Sequence, residues 1–193
     1  MTAILKVDTI QDTSGNNIIN ESSDTITIGA SGDTISIPSG ATITNSGTAT
    51  GFGESNTPLF RAYITGSDQT IPNTTWTKVG YNAETFDPSG VYDHSSNYRF
   101  TPGVAGYFSI NAQLTSADVA DWNKFMLRIY KNGSAFAGMQ IRHTYADSIT
   151  ISTMDLSDNN DYYEIYCYQN SGSNKDVRNI DMDNWFQAFK VSS

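Results

Sequence analysis

The first 51 residues of the chain contain no aromatic side chain, whereas its nine phenylalanines, three tryptophans and eleven tyrosines all lie from Phe52 onward. Aromatic rings supply much of the apolar area of a globular core, so these two regions cannot fold in the same way. Within the first region, residues 24–37 read D-T-I-T-I-G-A-S-G-D-T-I-S-I, two strand-like units whose aspartates, Asp24 and Asp33, stand nine residues apart. Ile26 and Ile28 alternate at period two, as do Ile35 and Ile37, which places each pair on one face of a strand. G-A-S-G and P-S-G-A supply turn residues after each unit. Thr42-Ile43-Thr44 begins a weaker third unit.

One copy of this segment cannot build a core. Residues 1–50 hold nine isoleucines, and burying them falls well short of the entropy lost in ordering the backbone. Either the segment stays disordered, or it borrows a core from neighbouring chains. The strand spacing of the isoleucines favours an intertwined multichain stalk, with Ile26, Ile28, Ile35 and Ile37 at its interface. The resulting organisation is an anchoring segment over 1–20, which contains I-L-K-V-D-T-I, and a repetitive β stalk over 21–50. A linker over 51–58 carries Phe52, and a head domain spans 59–193.

Composition points to an all-β chain. Leucine is scarce, with only Leu5, Leu59, Leu114, Leu127 and Leu156, while β-branched and aromatic residues abound. The net charge is −9, from 20 acidic against 11 basic residues. That lacks the basic footprint needed for nucleic acid and disfavours anionic membrane surfaces. No apolar run is long enough for a transmembrane helix, so no membrane insertion is expected. The opening M-T-A-I-L-K-V-D lacks the cationic and long apolar regions of a signal peptide, so folding at the site of synthesis is expected. Cys167 is the single cysteine, which rules out an intrachain disulfide. Inside the strand-like run Y-Y-E-I-Y-C-Y it reads as a small buried hydrophobe.

Beyond Leu59, short strand-like runs alternate with turn signals. They are 59–65, 75–79, 97–100, 106–112, 124–131, 148–155, 161–169 and 184–191. Asn132-Gly133 marks a hairpin. This many strands in about 135 residues makes a sandwich or jelly roll. Tyr107, Phe108, Phe186 and Phe189 fall within strands and read as core or subunit interface. Tyr92 and Tyr145 fall between strands and are the candidates for contact with a receptor.

Several blocks in order resemble the complement C-one-q globular head family. They are K-V-G-Y-N-A-E-T-F-D (78–87), V-Y-D (91–93) and R-F-T-P-G-V-A-G-Y-F-S-I (99–110), then L-R-I-Y-K-N-G (127–133). M-D-L (154–156) with D-Y-Y-E-I (161–165), and N-W-F-Q-A-F (184–189), complete the series. Asn160 and Gln187-Ala188 depart from the family's small residues at two turns. The resemblance implies a ten-stranded jelly-roll head, similar to that of tumour necrosis factor, packed as a homotrimer and commonly carried on a trimeric stalk. Some members bind calcium at the trimer apex, and Asp147 stands about where an acidic ligand occurs in them; no other cofactor is implied. L-K-V-D-T-I-Q-D, with the D-T-I units, resembles the openings of fibre-type structural proteins of marine tailed bacteriophages.

No motif for enzymatic chemistry is evident. His94 and His143 lack metal-ligand spacing, and there is no nucleophile elbow or phosphate-cradling glycine loop. Asp155/Asp158/Asp161 and Asp181/Asp183 do not match the twelve-residue calcium loop and read as turns. The leading expectation is a homotrimeric virion tail fibre assembled in the host cytoplasm. It would bind other virion proteins through its N-terminus and a host surface glycan or protein through its head. The alternatives are a capsid decoration or head fibre of the same build, a glycan-degrading tailspike, and a non-viral surface trimer.

Overall fold

The structure is a computed structural model that describes residues 9–15, 17–23, 25–29, 31–47, 56–117, 122–142 and 148–192. The chain divides into two compact units, Met1–Thr50 and Gly51–Ser193. Among the described residues there is no helix, so the all-β expectation holds.

The first unit contains a three-stranded antiparallel sheet of β1 (Thr9–Gln11), β2 (Asn17–Ser22) and β3 (Thr25–Ile28), in that order. Its register sets Ile10 opposite Ile19 and Ile19 opposite Ile28. Isoleucines nine residues apart therefore sit side by side on one face, and all three are exposed. Ile26, on the same strand face as Ile28, is 68 % exposed. In the second D-T-I-S-I unit, residues 33–38 of the single chain carry no strand, and Ile35 and Ile37 are exposed. A strand exists through its ladder partner, and among the described residues this single chain provides none for it.

The second unit contains β4 (Leu59–Tyr63), β5 (Gln69–Ile71), β6 (Thr77–Lys78), β7 (Ala83–Phe86), β8 (Tyr92–Asp93) and β9 (Arg99–Phe100). The longer strands follow: β10 (Gly106–Thr115), β11 (Phe125–Lys131), β12 (Ser134–Ile141), β13 (Ser148–Ser157), β14 (Tyr163–Gln169), β15 (Lys175–Val177) and β16 (Trp185–Ser192). One sheet runs β13-β10-β16-β4-β7; the other runs β12-β11-β14-β9-β8, with β6 beside β14. A small β15-β5 pair completes the unit. The two main paths hold ten strands in a jelly-roll arrangement. The final strand, β16, lies between β10 and β4, so the sheet closes only when the end of the chain arrives.

Alternation along each long strand sends one set of side chains into the core. Phe108, Ile110, Ala112 and Leu114 from one sheet meet Phe125, Leu127, Ile129 and Ile165 from the other. Phe60 stacks on Tyr92 at 4.7 Å between ring centroids and on Phe100 at 4.9 Å, with Phe186 edge-on at 4.9 Å. Offset and edge contacts of this kind add to simple area burial.

The short sequence blocks now have structural meanings. Asn132 and Gly133 have φ of 53° and 77°, the paired positive values of a type I′ hairpin turn between β11 and β12. In V-Y-D, Asp93 accepts hydrogen bonds from the backbone N–H groups of Ser95, Ser96 and Asn97. The Ser96 N–H leads in holding its carboxyl far below the usual range; burial opposes this, and Asn97 and Ser95 add to it. Gly106 has φ +146°, and a Cβ there would lie 2.5 Å from the Ser192 carbonyl oxygen. Only glycine allows β10 and β16 to approach this closely.

Candidate functional site

The alternation that buries Phe108 and Ile110 turns Tyr107, Ser109, Asn111 and Gln113 outward on β10. Their cross-strand neighbours face the same way. Tyr107 pairs with Leu156, and Ser109 pairs with Met154 on one side and Phe189 on the other. Phe189 in turn pairs with Leu59. One half of the outer face of the five-stranded sheet is therefore apolar. Met154 is 59 % exposed and Leu156 57 %, with Tyr107, Phe86, Phe189 and Val191 also open. A cleft of about 290 Å³ opens there, lined by Leu59, Phe60, Phe86, Gln187, Ala188 and Phe189 together with Asn56.

The other half of the same face is polar and satisfies itself. Ser152 Oγ donates to Asn111 Oδ1, and Thr150 Oγ1 donates to Gln113 Oε1 at 3.1 Å. Arg61 donates to Gln187 Oε1 at 2.8 Å and lies 5.1 Å above the Trp185 ring. The polar half needs no partner, whereas the apolar half leaves a contiguous patch in water. Such patches mark interaction surfaces.

The expected site residues distribute as follows. Phe108 and Phe186 are core, while Tyr107 and Phe189 are exposed on the outer face. Tyr92 is not the exposed loop residue expected: it lies on β8, is 5 % exposed, and donates its hydroxyl proton to the Tyr81 carbonyl at 3.1 Å. Burial, the leading cause, raises its phenol well above the ordinary range, so it remains neutral there. The apolar stacking position beside Phe60 and Phe186 accounts for its burial. Tyr145, His143 and Asp147 lie outside the described residues, as do Phe52 and residues 1–8.

The acidic groups are taken up by structure. Asp161 Oδ2 lies 2.8 Å from Lys131 Nζ, and its Oδ1 accepts from Asn132 at 2.6 Å. Asp155 Oδ2 lies 2.6 Å from Lys131 and accepts from the Tyr163 hydroxyl at 2.6 Å. Burial alone would raise the Asp161 carboxyl; hydrogen bonds from Lys131, the Asp158 N–H and Asn132 outweigh it and hold it below the usual range. Asp158 caps its own turn through the N–H groups of Asn160 and Asp161. Asp183 pairs with Arg178 at 3.3 Å. Among the described residues no group of three or more His, Cys, Asp or Glu side chains is placed to hold a metal. His94 pairs with Glu84 at 2.7 Å on the surface. Cys167 is fully buried, and burial pushes its thiol up, away from the reactive thiolate.

Comparison with known proteins returns no matching family model. The uncharacterized protein YqcC of Bacillus subtilis (strain 168) is 25 % identical over 125 residues, which cover 60 % of this chain and 34 % of that protein. The chain thus spans about a third of this relative's length. Among solved structures, Eiger TNF from S. frugiperda has a TM-score of 0.54 at 5 % identity, covering 70 % of this chain and 92 % of that one. Murine APRIL has a TM-score of 0.54 at 7 % identity, covering 69 % and 98 %. The globular domain of zebrafish complement 1qA protein has a TM-score of 0.52 at 14 % identity, covering 69 % and 97 %. These likenesses show the fold: the chain carries a jelly roll of the complement C-one-q and tumour necrosis factor type.

Proposed function

We propose that this chain is a non-enzymatic structural and binding protein that assembles as a homotrimeric virion fibre. The observation that carries the assembly is the apolar half of the five-stranded sheet's outer face, beside a polar half that is already hydrogen-bonded. A second copy of the same chain is the occupant we assign to it. Exposed Ile10, Ile19 and Ile28 in the first unit support the same reading, because a single chain leaves that row in water. The number three comes from the kinship in fold with complement C-one-q heads. The fibre role rests on the likeness of L-K-V-D-T-I-Q-D and the D-T-I units to phage fibre openings. In this reading the N-terminal segment docks to the particle, and the head contacts the host surface with the avidity of three equivalent sites. Tail attachment is the reading we favour, with a capsid position as its variant.

Light scattering on the purified chain tests the assembly. The expected mass is three times 21.1 kDa. A stable folded monomer sinks the reading. Removal of residues 1–50 is expected to leave a folded trimeric head. The Bacillus subtilis relative supports a second reading, a bacterial trimer outside any virion. Electron microscopy of the particle with a labelled chain separates the two: no label on any virion favours the bacterial trimer.

A further inference from the structure

The opposite sheet presents a different outer surface. On β11, Arg128 and Tyr130 face outward; on β14, Tyr166 and Tyr168 do so. Trp76, just before β6, joins them. Trp76 and Tyr168 have ring centroids 5.3 Å apart, Trp76 and Tyr130 6.4 Å, and Tyr130 and Tyr166 4.1 Å. This is a continuous half-buried aromatic ladder. The Arg128 guanidinium lies 4.3 Å above the Trp76 ring. Arg99, on β9, lies 4.7 Å above the Tyr162 ring. Across from Arg128 stands Gly138, where an added Cβ would come 3.3 Å from Arg128 Cγ. The missing side chain leaves room for the arginine to lie over β12.

Both arginines are held by rings and not by carboxylates. Among the described residues neither guanidinium makes an ion pair or donates a hydrogen bond. By contrast, Lys78 on the same face is spent on Glu164 at 2.6 Å. A guanidinium stacked on a ring keeps its donor edge fixed and available. In a chain of net charge −9, two guanidiniums without acidic partners gathered on one aromatic face favour an anionic ligand.

The strand register sets the separation of the two arginine backbones. Arg99 pairs with Glu164 and Arg128 with Tyr166 on the shared strand β14. Two strand spacings and two residue rises separate their Cα atoms by about 12 Å. This is comparable to the length of a disaccharide. Nucleic acid carries a charge every ~1.7 Å of duplex and would meet the chain's excess acidity. A uronic-acid polysaccharide carries one carboxylate per sugar, more sparsely than duplex phosphates, and so suits two separated arginines. The ring edges between them offer an apolar surface to the C–H faces of its sugars.

We propose that the outer face of the six-stranded sheet, through Arg128, Arg99 and the Trp76/Tyr130/Tyr166/Tyr168 ladder, binds acidic polysaccharide of the uronic-acid class. This rests on reading the head as a surface-contacting module and names its ligand class. The face lies on the sheet opposite the assembly surface, so each copy would present one.

The test is titration calorimetry of the full chain at low salt with oligogalacturonate as the probe. Neutral maltooligosaccharide and polyglutamate serve as comparisons. The expected result is saturable binding of oligogalacturonate, weakened at least tenfold in R128Q/R99Q and strongly by added salt. R128K, which keeps the charge but not the planar fork, is expected to weaken binding severalfold. No binding of oligogalacturonate, or undiminished binding by R128Q/R99Q, overturns the proposal. Equal binding of the maltooligosaccharide removes the role of the arginines and overturns it too. Equal binding of polyglutamate overturns it in favour of an acidic protein segment. Light scattering on the same samples separates the two readings. A monomer that binds oligogalacturonate overturns the trimer alone; a trimer that ignores it overturns the glycan site alone.

Discussion

Replacing Lys131 by methionine tests whether the charged cluster beside the β11–β12 hairpin holds the jelly roll together. Lys131 sits between two carboxylates, 2.6 Å from Asp155 and 2.8 Å from Asp161. Side-chain exposures are 22 % for Lys131, 15 % for Asp155 and 9 % for Asp161. Methionine keeps an apolar stem near Phe136 and Tyr163, whose rings the ammonium now approaches at 6.0 and 5.8 Å. It removes the charge and leaves two carboxylates short of both water and a cation. Breaking a fully buried pair costs about 3–5 kcal/mol. The residual exposure here lets solvent screen part of that, so the expected cost is about 2–3 kcal/mol. For a domain of this size, that lowers the thermal midpoint by on the order of 10 °C.

The pH dependence carries the sharper signature. Burial by itself would lower Lys131, but hydrogen bonds from Lys131 to Asp155 and Asp161 prevail and raise it above its ordinary value. Its contribution is therefore complete below the unfolded lysine value and is lost as pH rises through the folded one. Asp161 is lowered, so its contribution is present above the unfolded aspartate value and is lost as pH falls through the folded one. The intact protein thus keeps both contributions across the neutral range. In Lys131→Met, protonation relieves the uncompensated Asp161 carboxylate, so the deficit narrows as pH falls from about 7 to about 4. Urea unfolding at fixed chain concentration, repeated across that range, measures this; the concentration is fixed because association shifts apparent stability. A cost below about 0.5 kcal/mol, or a deficit that does not change with pH, refutes the assignment, since the first value is typical of an exposed pair.

Phe186→Ala removes a ring packed against Phe60, Tyr81 and Tyr92 and is expected to cost about 3–5 kcal/mol in urea unfolding; a loss under about 1 kcal/mol contradicts the core assignment. Phe189→Asp places a charge in the apolar outer patch and is expected to convert the assembly to smaller species by light scattering while far-ultraviolet circular dichroism stays β-type. An unchanged mass rejects this face as the interface. Cys167 is expected to resist a thiol reagent in the folded chain and to react fully in denaturant; fast labelling of the native protein at neutral pH contradicts its burial.

Much of the fold was legible in local patterns. The eight runs singled out in the sequence all contain strands, because alternation and β-branched or aromatic residues signal a half-buried pleated surface. Asn132-Gly133 gave away its hairpin through the positive φ that type I′ turns demand. β12 escaped because S-A-F-A-G-M-Q-I is an edge strand, half of it small residues, with no clear alternation. β5, β8 and β15 are only two or three residues long, too short for a period to register. D-T-I-S-I has a strand-like pattern, but a single chain contains no ladder partner for it among the described residues.

The surfaces were less legible than the strands. Tyr92 reads as a residue between strands and Tyr107 as one within a strand, yet Tyr92 is core and Tyr107 is exposed. The arginine–aromatic face joins Trp76, Arg99, Arg128 and Tyr168, which the sequence scatters over more than ninety positions. Its local trace is R-x-Y at 128–130 and Y-x-Y at 166–168, each pair sharing a strand face. That trace shows who shares a face and not which face meets the core.

The sequence by itself determined an aromatic-rich β domain, an aromatic-free β-patterned segment before it, and the position of the Asn132-Gly133 turn. These follow from short-range physics: period two, positive φ at Asn132 and Gly133, and the area that each side chain can bury. Only the tertiary structure decided that β16 lies between β10 and β4, that one sheet leaves an apolar half exposed, and that the other collects two unpaired arginines on rings. The reason is that strand order and facing depend on long-range pairing. Shifting a strand by one residue exchanges its two faces, and only the closed pair of sheets specifies which exchange the core accepts.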